Sequence, residues 1–261
     1  MTTTTDYTPY APTYGNRPPY VPQVLDALVS VTALRPGDRV CDVGAGQGHL
    51  TVPLLDRGLR LDAVEPNAAM RAAGLRRTAG YADVTWHATT AEDTGLPSGG
   101  FSLVVFGSSF HHTDRPRALR ESARILRPGG WFACAFLHRV LHDPLQRRIE
   151  ELIHARVPGY EMPVRDEDQT PFVRASGVFG EPLRLYGEVV HRVAARGWCD
   201  AWYSHAHLAR GAGPAFGEVV EEIRALVLRE AGEWLDVPYL TRVWAARRLP
   251  EAAPHERDTE R

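Results

Sequence analysis

The sequence contains no lysine: its 30 basic side chains are all arginine, set against 32 acids, for a formal net charge of −2. Without lysine there is no Walker-type phosphate loop, whose lysine must reach the β- and γ-phosphates, and no Schiff-base or pyridoxal chemistry. A near-neutral chain has no global positive field to gather nucleic acid, so a general DNA or RNA binder is not expected. Cysteine is scarce as well. Cys41, Cys134 and Cys199 lie far apart with no C-x-x-C pair, which suggests neither a disulfide framework nor a zinc site. No apolar run approaches the length of a membrane span, and the threonine-rich start lacks the charged and apolar regions of a signal peptide. These absences predict a cytoplasmic protein with no membrane partner.

What is present is a chain able to bury a large core: 261 residues, 44% hydrophobic and 24% charged. That length suits one α/β domain with insertions better than two full domains. Residues 1–9 read as a flexible tail, and the prolines of 10–22 exclude regular helix there. The spacing then predicts a helix over 24–34, a strand over 39–43, a helix over 49–57, a strand over 61–64, a helix over 68–79 and strands over 84–87 and 101–106. A helix over 115–126, stopped by Arg127-Pro128-Gly129-Gly130, precedes a strand over 131–137. Short apolar runs alternating with helices mean a mostly parallel sheet buried on both faces. Beyond it, helices are expected over 144–156 and 214–232, strands over 182–193 and 237–246, and a loop over 158–170. The chain is thereby expected to divide into a tail, lid and first helix over 1–35, a main domain over 36–248 and a disordered tail over 249–261. An insertion at about 141–180 is expected to lie over the sheet edge and contribute to an acceptor pocket.

The most informative segment is Val40-Cys41-Asp42-Val43-Gly44-Ala45-Gly46-Gln47-Gly48-His49, a strand running into three glycines with a helix directly after. Glycines there let the backbone approach a ligand, and the helix N-terminus offers free N–H groups. Glu65 ends the next strand 21 residues beyond Gly44, the place of a carboxylate that accepts two ribose hydroxyls. A nicotinamide loop is the rival, but its G-x-G-x-x-G pattern needs glycine where this chain has His49. Asp42 would also repel a pyrophosphate, whereas a ligand carrying a sulfonium and an ammonium tolerates it. Asp42 either caps the loop's N–H groups or touches the ligand directly.

D-V-G-A-G-Q-G (42–48), V-E-P-N (64–67), T-A-E-D (90–93), F-H-H-T-D (110–114) and I-L-R-P-G-G (125–130) resemble, in this order, the motifs of class I methyltransferases. The likeness is to the group that includes ubiquinone-type and small-molecule C-, N- and O-methyltransferases. It runs from about Tyr14 to Arg248. It implies a doubly wound Rossmann-like α/β sheet, mostly parallel with an antiparallel last strand. It further implies S-adenosylmethionine as methyl donor and a small-molecule acceptor, with methyl transfer to an O, N or C nucleophile. Carried over residue by residue, Gly44, Gly46 and Gly48 would wrap the donor's methionine part, Glu65 would hold the ribose, and Pro66 or Asn67 would flank the adenine. Ala91 and Glu92 would meet the adenine edge, and Gly107 and Ser108 would lie along the donor. Tyr14 and Arg17, in an N-terminal lid, would reach the donor's carboxylate, an arginine fork matching it bidentately.

His111 and His112 fall where the family places a histidine pair, and either could act as a base or serve structure alone. His205 and His207 carry no assignment, and neither histidine pair has companions enough for a metal. Tyr160, Phe172, Phe179, Trp198, Trp202 and Tyr203 could wall an acceptor pocket, more than half of them being ordinary core. The competing functions are a methyltransferase-fold protein that binds donor or product without methylating, as sensor, scaffold or catalyst of another reaction such as cyclisation, and a nicotinamide-dependent oxidoreductase. A homodimer is compatible with the sequence.

Overall fold

The computed structural model describes residues 6–161 and 167–250. A seven-stranded sheet organises them in the order β3-β2-β1-β4-β5-β7-β6. The strands are β1 (Arg39–Val43), β2 (Arg60–Val64), β3 (Val84–His87), β4 (Phe101–Gly107), β5 (Leu126–Arg139), β6 (Leu183–Ala194) and β7 (Trp234–Arg247). β1 to β5 pair in parallel, and β7 runs antiparallel between β5 and β6. The doubly wound sheet with antiparallel final pairing is therefore as the motifs imply.

Helices of the first half are, in chain order, α1 (Ala11–Tyr14), α2 (Pro22–Val31), α3 (Thr51–Leu55), α4 (Ala68–Arg77) and α5 (Arg115–Ile125). The period of two along the central strands sorts the core onto two faces. Val104 and Phe106 of β4 join Cys41, Phe132 and Cys134 on one face, with Leu119 and Ile125 of α5. Leu103 and Val105 join Val40, Ala133 and Ala135 on the other, with Leu25, Leu28 and Leu54 of α2 and α3. Full burial on both sides is why these runs are continuously apolar.

Three helix starts in the chain are built alike. Asn67 caps α4 by accepting from the N–H groups of Ala69 and Met70, and Asp114 caps α5 by accepting from that of Arg117. Asp143 does the same for α6 (Pro144–Arg156) through Leu145 and Gln146. Each satisfies donors that the first helical turn leaves unpaired.

The second half departs from expectation. α7 (Thr170–Ala175), α8 (Ala195–Asp200) and α9 (Ala206–Ala212) are present where no helix was predicted, and α10 (Phe216–Ala231) fills most of the expected 214–232. α6, α8, α9, α10 and the start of β7 enclose a third core of their own, with Ile149, Trp198, Trp202, Ile223 and Leu235 inside it. This cap sits against the sheet through Leu137. Two smaller corrections concern the ends. Thr8–Tyr10 is a 3-10 turn and α1 follows it, so residues 6–9 are ordered, held in part by Asn67, rather than forming a free tail. β5 begins at Leu126 and includes the Arg-Pro-Gly-Gly segment expected only to stop the helix. Residues 1–5 and 251–261, nearly all of both predicted tails, lie outside the described residues, as do 162–166 of the predicted insertion and loop.

Candidate active site

Chain order reverses between β1 and β4, which are neighbours in the sheet although β2 and β3 intervene in sequence. A crevice opens where the connections leave such a pair in opposite directions. At this point lies a cavity of about 590 Å³. The glycine loop forms its floor: Gly44, Gly46 and Gly48 all take positive φ, at 68°, 59° and 80°. Gly44 has no alternative, because a β-carbon there would stand 2.5 Å from that of Ser109. Ser109 is fixed in turn by donating its hydroxyl to the Val43 carbonyl at 2.6 Å.

Asp42, at the end of β1, is wholly buried and lines this cavity. Its Oδ2 accepts from the Thr51 hydroxyl at 2.6 Å, while Oδ1 has no hydrogen-bond partner. Burial raises its carboxyl to about 7, with the Thr51 bond opposing the rise and Glu65 adding to it. It does not cap the loop N–H groups. The loop is held by Glu65 instead, whose Oε2 accepts the Gly46 N–H and whose Oε1 accepts the Asn67 N–H, both at 2.8 Å. Burial pushes the Glu65 carboxyl up despite those two donors.

At the tip of β4, Ser108 adopts φ 52°, a left-handed conformation costly to a residue with a β-carbon, and receives a hydrogen bond from the Tyr20 hydroxyl at 3.1 Å. Beyond it the His111 and His112 rings lie with centroids 3.8 Å apart and planes tilted by 43°. Burial holds both far below the ordinary imidazole range, His111 at about 2 and His112 at about 4. Arg210 and Arg17 reinforce the depression at His112, so both rings are uncharged near neutrality. Such imidazoles remain hydrogen-bonding groups but are weak bases.

The N-terminal segment forms a strap over the strand tips. Asn67 donates to Asp6 and Thr8, the Tyr7 hydroxyl meets His112 Nε2 at 2.9 Å, and Gln47 donates to the Ala11 carbonyl. Arg17 closes the far end, its guanidinium over the Tyr14 ring and donating to Ser204 Oγ and to the Ser204 carbonyl at 3.0 and 2.8 Å. The strap thus joins the tips of β1, β2 and β4 to the cap.

Of the residues singled out from sequence, Tyr14, Arg17, Asp42, Gly44, Gly46, Gly107, Ser108, His111 and His112 line this one cavity. Gly48, Glu65, Pro66, Ala91 and Glu92 do not. Gly48 turns the chain into α3, Glu65 stands behind the loop, and Ala91 packs against the core under α5. Glu92 spends one carboxylate oxygen on the Asp114 N–H at 2.8 Å. Residues 141–180, expected in the acceptor pocket, contribute none of the lining among the described residues; α8, the turn after it and α9 supply that wall instead. Of the six aromatic candidates, Trp198 and Trp202 face the cavity. Phe179 and Tyr160 are core, Phe172 packs beside Arg115, and the Tyr203 hydroxyl donates to Glu221. Sequence reasoning missed Tyr7, Arg139, Arg210 and Tyr239 altogether. For Arg139, the end of a parallel strand was a usable signal; for Arg210 there was none.

Comparison with known proteins agrees with this geometry. Residues 41–134 match the family model described as a methyltransferase domain. An uncharacterised methyltransferase of Mycobacterium tuberculosis is 38% identical over 117 residues, 44% of each chain. A ubiquinone/menaquinone biosynthesis C-methyltransferase of Rubrivivax gelatinosus is 31% identical over 108 residues, 41% of this chain and 42% of that one. The chain therefore spans less than half the length of these relatives. A solved structure of a candidate type II methyltransferase from Anaeromyxobacter dehalogenans superposes with a TM-score of 0.65 at 23% identity, covering 90% of this chain and 99% of that one. Residues 41–134 are thus similar to a methyltransferase domain, and the sheet that surrounds them shares the fold of that solved structure.

Proposed function

We propose that the protein transfers a methyl group from S-adenosylmethionine to a small molecule held between the strand tips and the cap. The observation that carries this reading is Asp42, a buried residue that lines the cavity beside a glycine loop on positive φ and whose Oδ1 has no hydrogen-bond partner. A buried unpaired acceptor is costly unless a ligand satisfies it, and a cationic ligand does so best. The donor supplies a methyl group on positively charged sulfur, open to in-line displacement.

The residues present fit such a group. Asp42 answers its positive charge, and the bend at Gly44 to Gly46 lets backbone lie against its amino-acid part. Each Glu65 oxygen has received one backbone donor and retains capacity for another, which suits ribose hydroxyls approaching from beside the loop. Arg17 and Tyr14 stand at the cavity wall where a carboxylate would be met, and the strap from Tyr7 to Arg17 excludes water once the donor is in place. His111 and His112, being uncharged and weakly basic, orient the acceptor by hydrogen bonding rather than removing its proton. Alignment then supplies much of the rate, an effect worth on the order of 7–11 kcal/mol for well-oriented reactants. Calorimetric titration with S-adenosylhomocysteine tests the reading. Saturable binding, weakened in Glu65→Ala, supports it, and absence of binding at millimolar concentration overturns it.

A further inference from the structure

β6 is the last strand of the sheet, so one of its edges offers backbone N–H and C=O groups to whatever lies beside it. Long edges of this kind are ordinarily blunted by a proline or a bulge, or avoided by keeping the strand short. β6 has none of these devices. It runs for 12 residues, contains no proline, and pairs with β7 in one unbroken register from Leu183↔Ala245 to Ala194↔Trp234.

Tyr186, Val190 and Trp234 are the three most exposed large apolar side chains among the described residues, at 79%, 62% and 51%. All three share one face of the sheet. Tyr186 and Val190 alternate along β6 with residues turned inward, and Trp234 stands on β7 directly opposite Ala194. On that face of β6, charged and apolar residues alternate strictly: Arg184, Tyr186, Glu188, Val190, Arg192, Ala194. Glu188 lies opposite Leu240 and Arg192 opposite Asp236, and neither forms an ion pair among the described residues. The Arg192 guanidinium lies 5.9 Å from the Trp234 ring instead.

An edge strand that pairs with its own copy about a two-fold axis normal to the sheet does so antiparallel, with like faces together. The alternation then selects the position of the axis. An axis through an inward-facing residue would set charged side chains against apolar ones throughout. At Glu188 it would oppose that residue to itself and Arg184 to Arg192, and at Arg184 or Arg192 it would oppose two arginines. At Tyr186 it would carry Val190 past the strand to Pro182 and leave Trp234 uncovered. At Val190 every pair agrees. Glu188 meets Arg192 of the second copy on both sides of the axis, Val190 meets itself, and Tyr186 meets Ala194 beside Trp234. Cross-strand pairs of these kinds are the stabilising unit of a sheet.

We propose that β6 is a dimerisation edge whose partner is a second copy of this chain, paired about Val190 so that one sheet continues through both. No β6 residue lines the cavity, so the pairing leaves the candidate active site of each copy open and stands independently of methyl transfer.

Sedimentation equilibrium of the full chain from about 1 to about 100 µM should show monomer and dimer in exchange, and a monomer throughout overturns the proposal. Glu188→Arg and Arg192→Glu, both at exposed positions, should keep the fold and each weaken the dimer about tenfold or more. The exchange Glu188→Arg/Arg192→Glu keeps the net charge and should restore affinity to within about threefold of the native protein. A dimer indifferent to the single reversals, or one the exchange does not restore, overturns the proposal. The axis has its own readout. Opposed residues of antiparallel strands have Cα atoms about 4.5–5.5 Å apart, within disulfide reach. Cys41, Cys134 and Cys199 are buried, so a cysteine at an exposed β6 position supplies the one accessible thiol. Diamide oxidation should link copies of Val190→Cys about tenfold faster than copies of Tyr186→Cys, and equal or slower linking overturns the assigned register.

Discussion

Gly44 and Ser109 meet across the β1–β4 switch point so closely that a β-carbon on Gly44 would lie 2.5 Å from the Ser109 β-carbon. Gly44→Ala therefore combines a positive-φ penalty with an overlap, together about 2–5 kcal/mol. Urea denaturation should show that loss. Gly44→Ala/Ser109→Gly should recover the overlap part, so that the double variant is more stable than Gly44→Ala alone. Strict additivity of the two substitutions would mean that the contact does not exist.

Asp42 makes stability depend on pH in a definite direction. Its folded carboxyl, at about 7, stands above the ordinary 3.8, so the native state holds a proton that the unfolded chain releases. The resulting penalty grows as pH rises from about 4 to about 7 and is constant above that. Asp42→Asn should therefore gain stability over the native protein, and the gain should increase by about 2 kcal/mol between about pH 5.5 and about pH 8.5. Chemical denaturation at the two pH values measures it. In the same proteins, the affinity for S-adenosylmethionine should rise through neutrality when Asp42 is present and be weaker and flat in Asp42→Asn.

The Glu65 carboxylate accepts two backbone N–H groups, one on each of its oxygens. Glu65→Gln replaces one oxygen with an amide nitrogen that must face a donor, a mismatch of about 1–3 kcal/mol. Calorimetry should find S-adenosylhomocysteine binding about tenfold or more weaker with the fold retained. Unchanged affinity would show that the ribose is held elsewhere.

Arg139 and Glu150 form an ion pair at the junction of sheet and cap, both nearly enclosed, and Gln146 Oε1 accepts from Arg139 at 2.8 Å. Glu150→Ala leaves a buried guanidinium without its counter-charge, at a cost of about 3–5 kcal/mol. Replacing both partners, as in Arg139→Met/Glu150→Leu, should lose less than Glu150→Ala alone. The denaturation midpoints of the three proteins decide between these orders.

Much of the sheet was legible because burial on both faces leaves a strong mark. Residues 101–106, apolar but for Ser102 and buried throughout, are an example. The N-caps of α4 and α5 were present as Asn67 and Asp114 within motifs read for other reasons. In the cap only α6 and α10 were legible, within the helices expected over 144–156 and 214–232. α7, α8 and α9 are six or seven residues long, less than two turns each, too short to show a helical period. α8 and α9 take their order from Trp198, Trp202 and Leu208 packing in one core with α6 and α10, and α7 from Val173 packing in the core that holds Leu119 and Ile125 of α5.

Local backbone freedom and hydrophobic period are written residue by residue in the chain. They were enough to set the β-α alternation, the glycine bend after β1 and the carboxylates at the ends of β1 and β2. Which carboxylate oxygen is left without a donor, which histidines lose their charge and which arginines line the cavity were settled in the folded molecule alone. Those properties depend on burial and on the fields of residues distant in the chain, and neither exists until the cap closes over the sheet.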